Sequence, residues 1–453
     1  MVRIGEMWLL CLVLVAVRGY VVPDTMTLEE KVALYQGLEK NLHGCALHIF
    51  GNERGMSIVA LKDIAFNEPY LAIPAELTIS SFDTFDWFPY VHEGGPEITL
   101  ITRLIYEKYI GSRGPWVTEY VHALPTFIDA VLNWTESEKR ELYDHAFHKF
   151  NIEMPLPYEA GFATFSQLMG RVPGIYNTCP QCLYPETYAW SYLNMFARAF
   201  KQTLASWKMV KGYQWATGED AIEGAAMYPL LDLVNHDPTP RRYRDVKDFY
   251  TIRTQTGKMP AFVMFADRDF PKYSELVWEY GKKSNLELIY GYGFVMEKNM
   301  HDYFMYDLTS NRFCMGTRVQ SDVCRFKIGA FDHNDDLLNM IRQGITNVDY
   351  VLPSTISPVS YFLSLSSDSE PETTYTYLDS LRTYRQGLQE YHANIAKTWS
   401  LRTERRELKN APTGRSRWAF KYGISEKLVL LEHLKVMDRL IMSALWSGLG
   451  LSS

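Results

Sequence analysis

The chain has 453 residues, of which 47% are hydrophobic and 22% are charged. This composition is ordinary for a folded protein and argues against disorder. Its 53 acidic residues outnumber its 46 basic residues, which gives a net charge of −7. Because no basic surplus is available to displace the counterions of a nucleic acid, we expect no nucleic-acid partner.

The first residues are typical of a secretory signal peptide. An unbroken apolar run extends from Trp8 to Val17 behind Arg3, and Gly19 offers a small residue for cleavage. The run is shorter than the about 20 apolar residues that span a bilayer. We therefore expect a signal peptide at 1–19, a protein that is in the secretory pathway or secreted, and no stable membrane insertion. A buried N-terminal helix or a membrane anchor is the alternative, and onward organelle targeting stays open.

Four zones follow along the chain. Residues 46–80 contain short apolar runs broken by glycine and proline, which predicts strands. Between 97 and 214 the apolar period lengthens to that of helices, with two further helices predicted over 162–207. Strand-like runs return between 225 and 295, and a helical pattern begins near 370. The pattern predicts an α+β fold in which a helical insertion separates two sets of strands, followed by a helical domain.

The cysteines leave several readings open. Cys179 and Cys182 stand in a Cys-Pro-Gln-Cys sequence, which suits a zinc half-site, a redox pair or a local disulfide. A disulfide in an oxidising compartment is the favoured reading, and we expect no metal site. Asn133 begins a glycosylation sequon, Asn-Trp-Thr, which matters only if the protein is secreted.

The most informative motifs lie between residues 228 and 294. Asp232-Leu-Val-Asn235-His236 is followed by Ser274-Glu-Leu-Val-Trp-Glu-Tyr280-Gly, and then by Ser284-Asn-Leu-Glu-Leu-Ile-Tyr-Gly-Tyr-Gly-Phe294. In this order they resemble the C-terminal half of a SET domain. The segment from Glu53 to Pro74 is similar to the opening strands of that family. Residues 115–125 and 190–200 are similar to the branch that contains Rubisco large-subunit methyltransferase.

The resemblance implies a fold and the boundaries of its domains. We expect a SET domain of short strands with a knotted C-terminal segment over 26–310, carrying a helical insertion at about 95–220. We expect a helical, substrate-binding-like domain over 335–453, where Arg417 and Glu426-Lys427-Leu428 are similar to a helix motif of the family.

The resemblance also implies a reaction, in which a methyl group passes from S-adenosylmethionine to a lysine nitrogen of a protein. Tyr280 matches the catalytic tyrosine, whose hydroxyl orients the target nitrogen. Phe200 and Tyr292 match residues of the substrate channel. The implied cofactor-binding residues are Arg54, Gly55, Arg198, Asn235, His236 and Phe294. Among them, Asn235 and His236 hold the nucleoside and main chain of the cofactor, Arg198 meets its carboxylate and Phe294 stacks on adenine.

Two features depart from the family. Ser57 stands where the family has a glycine, so the backbone there approaches the cofactor less closely. Secretion would also separate the enzyme from the compartments in which the cofactor is made. The alternative function is therefore a secreted, non-catalytic binding protein built on a SET scaffold. For the enzyme we expect a monomer whose partner is a lysine-containing protein segment.

Overall fold

The structure is a computed structural model. It describes residues 26–49, 55–83, 91–111, 115–139, 142, 158–203, 223–238, 247–254, 257–297, 299–307, 325–329, 371–398, 400–411 and 414–448. The chain divides into two compact units. The first comprises Met1–Asn133, Glu153–Lys282 and Gly291–Gly293, and the second comprises Trp134–Ile152, Lys283–Tyr290 and Phe294–Ser453. The expected domain limits, 26–310 and 335–453, stay predictions.

Helices are distributed over both units, and we number the α-helices in chain order. They are α1 Leu28–Gln36, α2 Gly95–Tyr109, α3 Pro115–Ala123, α4 Glu136–Lys139, α5 Tyr158–Met169, α6 Ile175–Thr178, α7 Pro185–Arg198, α8 Asn285–Gly291, α9 Pro371–Thr398, α10 Leu401–Asn410 and α11 Arg415–Gly448. Short 3-10 helices cover Glu39–Asn41, Ala75–Leu77, Val91–Gly94, Val131–Asn133, Pro180–Leu183 and Leu231–Leu233.

The strands are short and form several small sheets. They are β1 Cys45–Ile49, β2 Met56–Ala60, β3 Pro69–Pro74, β4 Ile79–Ser80, β5 Phe200–Thr203, β6 Glu223–Met227, β7 Asn235–His236, β8 Lys247–Thr254, β9 Gly257–Phe265, β10 Val277–Trp278, β11 Tyr303–Asp307 and β12 Arg325–Gly329. In the first unit β1 pairs with β2, and the orders β3-β9-β8 and β4-β6-β5 are antiparallel. β7 pairs with β10 in parallel, and β11 pairs with β12 in the second unit.

The core of the first unit explains why these segments form. The apolar face of α2, which includes Ile98, Leu104 and Ile105, is fully buried, as the period of its sequence predicts. It packs in one cluster with Ile58 of β2 and Ile73 of β3. Helices and strands thus share one core, and the α+β prediction is confirmed.

The second unit contains the long helices α9, α10 and α11, and their apolar spacing also agrees with burial. Leu381, Leu388 and Ile395 of α9 are fully buried, as is Leu430 of α11. Leu428 of α11, which belongs to the helix motif similar to that of the family, is 37% exposed. None of the helices in the described part of the chain combines the length and the apolar character that crossing a bilayer requires.

One helix prediction extends too far. The pattern predicted helix up to residue 207, but α7 ends at Arg198 and Phe200 begins strand β5. Ala199 adopts an extended backbone, and Phe200–Thr203 pairs with β6 instead of continuing the helix. Tertiary strand pairing therefore overrides a helical period in an aromatic-rich segment. The signal peptide predicted at 1–19 lies outside the described residues.

Candidate active site

The parallel pair of β7 and β10 builds the centre of the site. Asn235 lies opposite Val277 and His236 lies opposite Trp278, and the Asp237 amide donates to the Trp278 carbonyl oxygen over 3.0 Å. Because Tyr280 follows β10 by two residues, this pairing brings it beside His236. The structure therefore joins two motifs that are about forty residues apart in the sequence.

Tyr280 is held on three sides. Its backbone N–H donates to His236 Nδ1 over 3.1 Å, and its hydroxyl donates to the Val234 carbonyl oxygen over 2.9 Å. Its ring is stacked on Tyr292, with 4.9 Å between centroids, and lies 5.0 Å from the His236 ring. Burial of the phenol, and then the nearby Tyr292, raise the pKa of Tyr280 well above its usual value. The phenol therefore keeps its proton at neutral pH and is a positioning group rather than a base.

His236 has a defined tautomer. Its Nδ1 accepts a hydrogen bond from the Tyr280 amide, so the ring proton of the neutral imidazole is on Nε2. Sequence patterns do not indicate this contact, because it joins two segments that are distant in the chain.

The side chain of Asn235 has a defined orientation. One of its terminal atoms lies 2.6 Å from Glu275 Oε1. An ionised carboxylate only accepts hydrogen bonds, so the atom facing it is the amide nitrogen. The amide oxygen Oδ1 is left as an acceptor with no hydrogen-bond partner among the described residues. Glu275 thus sets which half of the amide is available to a ligand, a role that the sequence motif did not assign to it.

Arg198 belongs to a buried polar cluster. Its Nη1 donates to Asp232 Oδ2 over 2.9 Å and to the Asp232 carbonyl oxygen over 3.1 Å. Tyr120 donates its hydroxyl to the same carboxylate over 3.2 Å, and the Asp232 side chain is 0% exposed. Burial raises the pKa of Asp232, while the Arg198 guanidinium and the Tyr120 hydroxyl oppose that rise. A cofactor carboxylate would meet a guanidinium whose charge is largely compensated, so the predicted role of Arg198 stays a prediction.

Aromatic side chains line the surroundings of Tyr280. Phe200 lies with its ring centroid 5.7 Å from that of Trp278, and Tyr292 contacts Phe196 edge-on at 6.2 Å. A Cβ at Gly291 would lie 1.9 Å from the Phe196 ring, so any larger residue there would have to displace that ring. The structure thus places both predicted channel residues in the aromatic surroundings of β10 and Tyr280.

The remaining predicted residues are distributed differently. Gly55 is exposed and has a φ of +76°, which favours glycine, whereas Arg54 lies outside the described residues. Ser57, the departure from the family glycine, is fully buried, and its hydroxyl has no hydrogen-bond partner among the described residues. Phe294 belongs to the second unit, and its stacking role stays a prediction.

The motif that continues beyond Ser284 supports the second unit. Asn285 donates its side-chain amide to the Met296 carbonyl oxygen, to Asp302 Oδ2 and to Ser425 Oγ, each over 2.9 Å. Its Oδ1 accepts from the Met296 amide over 2.9 Å. Ser425 also donates to Asp302. All the hydrogen-bonding groups of the Asn285 side chain are used, so Asn285 and Asp302 have a structural role.

Two residues of the helix motif in α11 are also internal. Lys427 Nζ lies 2.6 Å from Glu404 Oε1, and the two side chains are 0% and 1% exposed. Glu426 accepts from the Tyr391 hydroxyl over 3.1 Å. Glu426 and Lys427 therefore connect α11 to α9 and α10 and do not themselves present a surface to a partner.

Of the readings left open for the Cys-Pro-Gln-Cys motif, the structure shows the local disulfide. Cys179 and Cys182 form a disulfide, and both are fully buried. At the sequon, the Asn133 side-chain amide donates to the Ile128 carbonyl oxygen over 2.8 Å. The side-chain nitrogen to which a glycan would be attached is therefore already hydrogen-bonded in the folded protein.

The fold has known counterparts among solved structures. No family model and no curated protein matches the sequence. The SET domain of LSMT bound to methyllysine and AdoHcy aligns with a TM-score of 0.64 at 18% identity, covering 94% of each chain. The form bound to lysine and AdoHcy aligns with a TM-score of 0.60 at 16% identity, covering 92% of this chain and 93% of that one. Rubisco LSMT bound to AdoMet gives 0.59 at 16% identity, with 91% and 93% covered. The chain therefore has the fold of a SET-domain protein of the LSMT type.

Proposed function

We propose that this protein is an S-adenosylmethionine-dependent methyltransferase that acts on a lysine side chain of another protein. The observation that carries the proposal is that the parallel pair β7–β10 holds three groups in one compact unit: the protonated phenol of Tyr280, the imidazole of His236 that contacts it, and the oriented amide of Asn235 next to His236 in the chain. The solved structures with the same fold include forms bound to AdoMet and to lysine with AdoHcy, which supports the same ligands here.

The residues present fit this cofactor. S-adenosylmethionine carries an α-ammonium group and an adenine amino group, both of which need acceptors. Asn235 Oδ1 is such an acceptor, because Glu275 holds the amide nitrogen on its other side. Gly55 has a positive φ, and among the described residues other than its chain neighbours no atom lies within 4 Å of the place where a Cβ would stand, which leaves room beside the start of β2. When bound, the cofactor supplies the sulfonium methyl group for transfer.

The part played by Tyr280 follows from its hydrogen bonds. Since the hydroxyl hydrogen is donated to Val234, the phenol oxygen keeps its lone pairs for a second contact. An N–H of the target amine, or the polarised hydrogens of the methyl group, can meet that oxygen. The rings of His236 and Tyr292 pack against the Tyr280 ring and restrict its rotation. Tyr280 thus orients the amine and takes no proton, and the lysine loses its own proton to water before transfer.

We also propose that the protein enters the secretory pathway. The apolar run at Trp8–Val17 supports this proposal. The buried Cys179–Cys182 disulfide is a second support, because disulfides persist in oxidising compartments and are rare in the cytosol.

Calorimetric titration of the purified protein with S-adenosylhomocysteine tests the function. We expect saturable binding that weakens by at least about tenfold in Asn235→Ala, because that change removes the oriented acceptor. A second titration with ATP, which has the adenosine but not the homocysteine part of this ligand, controls for general nucleotide binding. Absence of heat and of a thermal shift with S-adenosylhomocysteine would favour the non-catalytic binding protein instead.

A further inference from the structure

A row of basic side chains marks one face of α10 in the second unit. Arg402, Arg405, Arg406 and Lys409 are all exposed, and their spacing places them within an arc of about 100° on the helix surface. They extend along about 10 Å of the helix axis. We call this set the basic stripe. It belongs to a chain whose net charge is −7, so it is not a reflection of overall composition.

The opposite face of α10 fixes the direction in which the basic stripe points. Glu404 on that face is buried and paired with Lys427 of α11, and Ser400 caps the helix by accepting from the Thr403 amide over 3.2 Å. Rotating α10 would break a buried ion pair, which is strongly unfavourable. The four cations are therefore held outward as a fixed array.

Three of the four cations of the basic stripe have no ion-pair partner among the described residues. Arg406, whose side chain is 68% exposed, pairs with Glu407. In the part of the chain that the structure describes, no acidic side chain pairs with Arg402, Arg405 or Lys409. Like charges three and four residues apart on a helix repel and destabilise it. An arrangement that destabilises its own helix is expected where an anionic partner restores the balance.

We propose that the basic stripe is a docking surface for an acidic segment of the protein substrate. A long polyanion, such as a nucleic acid or an anionic membrane, is repelled by the net charge of −7 of the chain as a whole. A short acidic segment can contact the stripe alone, and the guanidinium groups suit two-oxygen carboxylates. That the segment belongs to the methyl acceptor rests on the function proposed above.

Fluorescence anisotropy with a labelled deca-glutamate peptide tests the docking surface without requiring methyl transfer. We expect saturable binding that weakens at least about tenfold in the triple variant Arg402→Glu/Arg405→Glu/Lys409→Glu. Binding should also weaken when salt rises from about 0.1 M to about 1 M, which shortens the Debye length from about 10 Å to about 3 Å.

The matched control carries the same change in net charge at exposed positions off the stripe, Lys40→Glu/Lys201→Glu/Arg439→Glu, and should bind within about twofold of the parent protein. Circular dichroism verifies that both variants are folded. Equal weakening in the two triple variants would overturn the proposal, as would failure of the peptide to bind. Stripe-dependent binding of phosphatidylserine vesicles with no peptide binding would overturn it in favour of a membrane. S-adenosylhomocysteine affinity should be the same in every variant, so failure of the stripe is distinguishable from failure of the enzyme.

Discussion

Two asparagines show how the units differ. In the first unit, Asn235 gives its amide nitrogen to Glu275 and keeps its oxygen available. In the second unit, Asn285 uses both ends of its amide on Met296, Asp302 and Ser425. Both residues stand in motifs that resemble the same family. Spare hydrogen-bonding capacity indicates a ligand site, whereas complete internal satisfaction indicates a structural junction.

The largest expected effect is on the free energy of unfolding, and it tests the structural role of Asn285. Asn285→Ala should lower the free energy of unfolding by about 3 kcal/mol, because it removes several buried hydrogen bonds and leaves Asp302 with fewer donors. Asn235→Ala is the matched control and should lower it by less than about 1 kcal/mol. Urea unfolding followed by circular dichroism measures both. Equal losses in the two variants would end the distinction.

The second prediction concerns Tyr280. Tyr280→Phe removes the hydroxyl that Val234 holds in place and should lower kcat about 100-fold, the scale seen when one positioned catalytic hydrogen-bonding group is lost. S-adenosylhomocysteine affinity should change little. Single-turnover transfer of a labelled methyl group measures the rate, and calorimetry measures the affinity. Unchanged kcat would remove Tyr280 from the mechanism.

The third prediction is that removal of the disulfide lowers the stability of the first unit without changing its affinity for the ligand. Replacing both Cys179 and Cys182 with alanine opens a loop of sequence separation 3, and the chain-entropy relation gives a loss of about 2 kcal/mol for so short a loop. Cys45→Ala, at a buried cysteine that is free of any disulfide, controls for loss of a buried sulfur. Thermal unfolding and S-adenosylhomocysteine titration are the measurements. A large loss of affinity would show that the disulfide shapes the site.

The fourth prediction tests the orientation of Asn235. In Glu275→Gln the new amide can donate as well as accept, so Asn235 is no longer held with its oxygen outward. We expect about tenfold weaker binding of S-adenosylhomocysteine, equivalent to about 1.4 kcal/mol, with Tm unchanged. Glu223→Gln, on an exposed glutamate of β6, is the control. Unaltered affinity in Glu275→Gln would mean that the amide orientation does not matter.

The last prediction is that Tyr280→Phe leaves the shape of the pH dependence of kcat/KM unchanged. The pKa of Tyr280 is raised above its usual value, so its phenol remains protonated through neutral pH and releases a proton only at a more alkaline pH than usual. The rise of kcat/KM with pH should therefore reflect deprotonation of the lysine substrate, and Tyr280→Phe should keep that rise at a lower level. Rate profiles of both proteins measure it. Loss of the rising limb in the variant would identify Tyr280 as a base.

The sequence alone determined the class of fold and most of its elements. The apolar period of α2 and α9 and the short runs of β1–β3 predicted their structure, because local spacing decides which face can be buried. The order of the motifs around Asn235, Tyr280 and Asn285 was sufficient to predict the SET fold, which the solved structures support.

Tertiary structure alone decided which polar groups meet. Phe200 lies in a strand because β6 is available to pair with it, and Arg198 faces Asp232 because two distant segments fold together. The partners of Asn235 and Tyr280, Glu275 and His236, lie about forty residues away. Periodicity describes one segment at a time, whereas the orientation of an amide or an imidazole depends on atoms contributed by another segment.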